Sequence, residues 1–427
     1  MIELLESTSV FDLDSNRIAR RPSMHQMAWV EQAAHEERRP WDTLRAPVVS
    51  WRAGKATHVV SREGWRLASS EEWIPSNHPL RDAILDCNTK QINGVVELDP
   101  VTDNPSRLPI GGAIFHYGEW AEWYRPTWDY EGGPRVVIRP LRGTSERPLI
   151  EGFAWQYGYG EVWVIGCDLT TEDGASYVIG SQGPTGVIRL KDCNIVRPVD
   201  PDQQQEFGGT GIFSAIRTSQ VAVHLEDVKF VGAVQQHDLY ADNPWFIACV
   251  RTIFGPAGRT HMQAGTRLEL GEIYGLPSRW LGILILDCEG YGLNSGNGGG
   301  SGLTVWGYPG RIQINGFKLV SDSTGALAKN RAISIWKAQN YETIDPEGDG
   351  YSNDHLVVRG VVIDYPGMQR GAFEFESTRV AIIGDLEGNC PKWTLDAPDM
   401  YVSGYVGTLR KIPGTNQHGL EINWTRV

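Results

Sequence analysis

Three stretches decide the fold: VWVIGCDL (162–169), VIRLKDCNI (187–195) and VAVHLEDVKF (221–230). Each opens with a short apolar strand, turns at one or two polar residues and then returns to apolar character. The same form recurs in RVVIRP (135–140), FIACVRTIF (246–254), LGILILDCEG (281–290), RIQINGFKL (311–319), LVVRGVVI (356–363), VAIIGDLEG (380–388) and MYVSGYVG (400–407). Between most of them lies a second strand-like run, such as HDLYAD (237–242), SGLTVW (301–306), RAISIW (331–336), GAFEFES (371–377) and GLEINW (419–424). Two or three short strands per unit, glycine at the corners and no helical period between them are what a parallel β-solenoid requires. Overlaying the units brings Cys167, Cys193, Val228, Cys288 and Phe317 to one position. They are expected to stack inside, each coil about 4.8 Å above the last.

Other architectures fail on particular counts. A sandwich needs hairpin turns between adjacent strands, and the two Asn-Gly pairs, 93–94 and 315–316, do not join strand-like runs. A doubly wound sheet needs a long helix between strands, and no such pattern follows residue 90. Propeller blades demand a longer repeat than these units provide. The fold class is therefore all-β, a single-stranded parallel β-helix.

Two regions precede the repeats. Residues 1–80 read as an attached N-terminal segment, with a charged helix over Met24–Arg39 stopped by Pro40, and a hinge at Pro75 and Pro79. Residues 81–427 read as the β-helix. A second helix over Leu80–Thr89, with Leu80, Ile84 and Leu85 on one face, is expected to cap its open end, followed by a strand at Gly94–Leu98.

The chain has 427 residues, 41% of them hydrophobic, enough for a large core. With 39 basic against 52 acidic residues the net charge is −13, which disfavours nucleic acid and anionic membranes as partners. The longest apolar run, Leu281–Leu286, falls far short of a membrane span. The N-terminus carries acids where a secretory signal would carry bases, so synthesis in the cytoplasm without a signal peptide is expected. Six cysteines without a CxxC pair or nearby histidines read as buried thiols, and no metal or cofactor is expected.

On these coils the sequence resembles the pectin-lyase-like right-handed parallel β-helix superfamily, which includes polysaccharide lyases, glycoside hydrolases and phage tailspikes. The resemblance covers residues 135–427, and its one motif-like stretch is QHDLYADN (236–243), similar to the HGIY-type coil of such proteins. It implies a right-handed coil. The chain departs from the polygalacturonase pattern in having no NTD, no Asp-Asp pair and no Gly-His-Gly, so the catalytic acids of that family are not carried over.

Strand alternation separates outward from inward residues. Two outward columns are expected on the second strands: Asp238, His261, Thr304, Ser334 and Glu374 in one, and Tyr240, Gln263, Trp306, Trp336 and Glu376 in the other. Rings beside acids suit a carbohydrate chain, so Tyr240, His261, Trp306 and Trp336 are the candidate ligand-binding residues. Loop or subunit cover would also account for them. Glu374 and Glu376, two residues apart, are about 6.6 Å apart along a strand, within the range for inverting hydrolysis. They are the candidate catalytic pair, with Asp238 beside His237 and His261 as a further candidate. Acids on an exposed strand are also simply solvated positions.

The expected function is a tailspike-like surface protein, carried on a virion as a homotrimer or with other virion proteins, that binds a cell-surface polysaccharide and cleaves it if the carboxylates act. The alternatives are a structural or decorating β-helix of a virion without activity, and a stand-alone polysaccharide lyase or hydrolase.

Overall fold

The computed structural model describes Trp51 and residues 54–99, 107–109, 135–151, 161–170, 177–180, 185–196, 210–214, 220–232, 236–265, 282–292, 301–308, 311–320, 331–336, 353–365, 372–375, 378–387 and 395–396, with 91 and 146 excepted. The expected helix over Met24–Arg39 and the strands at 400–407 and 419–424 lie outside these residues.

The described chain is nearly all β, in two long sheets of 21 and 8 strands that pair almost wholly in parallel. Each turn of the chain supplies a strand of the smaller sheet, then a long and a short strand of the larger one. His237–Asp242, Pro244–Val250 and Ile253–Phe254 form one such turn; Ser301–Trp306, Arg311–Asn315 and Lys318–Val320 form another. Corresponding strands of successive turns lie side by side, consistent with a parallel β-helix.

Alternation fills the interior in files. Val136, Val162, Ile188, Val223, Ile247 and Ile283 pair in register, one per coil, and all are buried. The expected internal stack is present: the registers align Cys167, Cys193, Val228, Cys288 and Phe317, with Thr252 between Val228 and Cys288. Burial raises the Cys193 and Cys288 thiols to about 12, so they remain protonated and act as small apolar groups.

The units are split by a corner that residue type alone marks only as a polar turn. Gly166, Asp192, Asp227, Arg251, Asp287, Gly316 and Gly360 all have positive φ and fall at one register position. Glycine, and to a lesser degree aspartate, tolerates this left-handed conformation, which redirects the chain between the long and short strands. The corner's N–H groups form their own ladder, with Asp227 donating to the Val250 carbonyl and Arg251 to that of Leu286. The connection from the smaller sheet to the larger is variable: Asn243 alone in one coil, residues 266–281 in the next and 307–310 in the one after.

At the N-terminal end the helix spans Pro79–Thr89 and buries Leu80, Ala83, Ile84 and Cys87, while Leu85 is only partly buried. Of the expected attached segment, His58–Val60 pairs in parallel with Val96–Leu98 and so joins the larger sheet.

Candidate functional site

The outer face of the smaller sheet is built from the strands His237–Asp242, Thr260–Gly265, Ser301–Trp306, Ile333–Trp336 and Phe373–Phe375. Leu239, Met262, Leu303, Ile333 and Phe373 form one inward file across them, and Ala241, Ala264, Val305 and Ile335 another. Keeping both files full fixes what lies outside.

That register corrects the two expected columns. Gln263 pairs with Thr304, so the outer column is Tyr240, Gln263, Thr304, Ser334 and Glu374. Trp306 and Trp336 pair with each other one column away, in line with Gly265 and Asp242. Tyr240 is thus beside the tryptophan column rather than in it. Gly265 explains the placement, because the Trp306 indole lies over its backbone and a Cβ there would stand 1.9 Å from the ring.

Asp238 and His261 require a second correction. Both were expected to point outward, and both are fully enclosed, with His261 Nδ1 2.9 Å from Asp238 Oδ2. Their register position is held by Gly211, Gly302, Ala332 and Ala372 in other coils, all small. At this corner the side chain turns into the core, and the His261 ring stacks on Phe254 with centroids 5.9 Å apart. Gly290 opposite leaves room for it, since a Cβ there would meet the imidazole at 2.7 Å. Neither residue is open to a substrate on the outer face.

His237 is a buried corner residue as well. Its ring stacks on Tyr240 at 5.0 Å and its Nδ1 meets the Thr260 hydroxyl. Burial, and then the positive charge of Arg259, lowers its pKa to about 3, so it is neutral at physiological pH.

Glu374 projects from the outer column and is largely buried, its side chain 15% exposed. Its Oε2 accepts from Arg331 Nη1 at 2.7 Å and from Trp336 Nε1 at 2.5 Å. A carboxylate held by two N–H donors is compensated and oriented, and it fixes the Trp336 ring. Glu376 lies outside the described residues. Thr304 and Ser334 are buried, and Thr304 Oγ1 has no hydrogen-bond partner among the described residues. The face therefore offers two half-buried indoles in file, a phenol and an amide.

Among the described residues no group of three or more histidine, cysteine, aspartate or glutamate side chains is placed to hold a metal ion. No described helix is long and apolar enough to cross a membrane. No protein-family model, curated protein or solved structure matches the chain.

Proposed function

We propose that the chain is a right-handed β-helix of the pectin-lyase-like type, acting as a tailspike-like surface protein that holds a cell-surface polysaccharide across Trp306 and Trp336. The observation that carries this reading is their direct pairing on adjacent coils, both half-buried and in file. Indoles about 4.8 Å apart give a sugar's C–H faces a continuous platform, and Tyr240 and Gln263 supply polar groups beside it. Assembly as a homotrimer on a virion belongs to the same proposal.

Binding is the core of the reading, with cleavage secondary. Asp238 is enclosed and Glu374 is committed to Arg331 and Trp336, so neither is poised as an acid or base on the outer face. The test is titration with capsule and lipopolysaccharide glycans, following tryptophan fluorescence, with assays for new reducing ends and unsaturated uronates. Binding lost in Trp306→Ala and Trp336→Ala at an unchanged melting temperature supports the proposal; absence of binding to any of them ends it. The structural-rod reading draws on the burial of Thr304 and Ser334 in a single chain, which means that part of this face is already covered.

A further inference from the structure

The short strands of the larger sheet carry two outward columns with different chemistry. Asn194, Lys229, Ile253, Glu289 and Lys318 pair in register and form the first, over five coils. The second is apolar: Val196 pairs with Val231, Tyr291 pairs with Val320, and the coil between them has Gly255 next after Phe254. Phe230, Phe254 and Leu319, which alternate with these columns, are buried. Val231 and Tyr291 are 37% and 36% exposed, two of the four large apolar side chains so placed among the described residues. They stand two coils apart, about 10 Å, on one outer face. An exposed apolar file of this kind marks an interaction surface.

The first column sets the chemistry of the partner. Lys229 stands one coil before Ile253, and Glu289 one coil after it. The Lys229 amine makes no hydrogen bond or ion pair among the described residues, and the acid nearest to it in sequence, Asp227, is held by Arg251, Nε to Oδ1 at 2.6 Å. Glu289 accepts from the Tyr291 hydroxyl through Oε2 and has Oε1 to offer. A two-fold axis along the strand at Ile253 reverses the order of the coils and keeps each column upon itself. Lys229 then faces the Glu289 of a second copy, Val231 faces its Tyr291 and Val196 faces its Val320, each contact made twice. An axis along the stack would instead oppose Lys229 to Lys229 and Glu289 to Glu289, which like charges disfavour.

We infer that this face docks a second copy of the chain, laid antiparallel across Ile253, with two Lys229–Glu289 pairs beside the apolar file. The contact goes beyond the glycan reading, because it uses the larger sheet and leaves Trp306 and Trp336 on the smaller one uninvolved. A threefold axis along the stacks keeps the copies parallel and cannot make this contact, so it joins chains beyond a homotrimer. Five coils span about 19 Å, which places the contact at the small, transient end of protein interfaces.

The test mixes the full chain carrying Val231→Cys with the full chain carrying Tyr291→Cys under mild oxidation, and reads the disulfide-linked peptides by mass spectrometry. The native cysteines among the described residues are all buried and do not compete. The 231–291 link is expected to outnumber the 231–231 and 291–291 links at least about tenfold. Its absence, comparable amounts of all three, or a dominant 231–231 link, which parallel stacks would give, overturns the inference. Adding Lys229→Glu to the Val231→Cys chain should cut the link several-fold, and adding Glu289→Lys to the Tyr291→Cys chain should restore it. A yield indifferent to these charges overturns the pairing as well. Trp306→Ala should leave the link unchanged, so failure of glycan binding and failure of this contact are told apart.

Discussion

His261 and Asp238 are hydrogen-bonded inside the coil stack, Nδ1 to Oδ2 at 2.9 Å, with both side chains shut off from solvent. Removing one partner leaves the other enclosed without its counterpart. Asp238→Ala is expected to cost about 3–5 kcal/mol in urea unfolding. The double change Asp238→Ala with His261→Ala, which copies the residues at 332 and 372, should cost clearly less than the two single changes added together. Strict additivity would show that the pair is not coupled.

Gly290 is the space into which the His261 ring fits. Gly290→Ala places a methyl 2.7 Å from Cδ2 of that ring, so a loss of about 1–3 kcal/mol is expected from overpacking. An unchanged urea midpoint would mean that the ring moves aside freely.

Acid should weaken the fold through its buried histidines. Burial lowers the pKa of His58 and His224, and that of His237 to about 3, so the folded state resists protonation while the unfolded chain accepts protons near 6.5. Folded pKa values below the unfolded value mean that stability is complete above about pH 6.5 and falls as pH drops from there toward 3, at up to about 1.4 kcal/mol per pH unit for each histidine. Melting temperatures at pH 7.5 and 5 provide the check; equal values, or a higher one at pH 5, would refute it.

Gly265→Ala should displace the Trp306 indole while leaving the coils intact, since the added methyl falls within the ring. A red-shifted emission maximum with an unchanged far-UV spectrum is the expected signature. If the emission is unchanged, the ring does not rest on Gly265.

Gly316 has φ +76° at the left-handed corner, and its would-be Cβ lies 2.4 Å from Asp287 Oδ1. Gly316→Ala should cost about 1–2 kcal/mol in backbone strain alone. The same change at Gly143, where φ is +90° but the space is open, separates strain from crowding.

Much of the stack was legible in the sequence because its files repeat. The overlay of Cys167, Cys193, Val228, Cys288 and Phe317 depends only on residue type and spacing, and the registers reproduce it. The corner conformation was less visible, although Asp192, Asp227 and Asp287 each stand just before a member of that stack. The outer face was misread for two local reasons. Strict alternation sends Asp238 and His261 outward, whereas both, each second in its strand, are buried together with the next residues, Leu239 and Met262. The Trp306 column was misplaced because Gly265, which has no side chain to mark its row, is the residue that the ring covers.

The two kinds of corner divide the work between them. The left-handed one keeps the same spacing in coil after coil, whereas the step from the smaller sheet to the larger takes anything from Asn243 alone to residues 266–281. Length can therefore be added or removed along one margin of the molecule without disturbing the packed files. Segments of different length grafted at that margin would leave the scaffold unaltered.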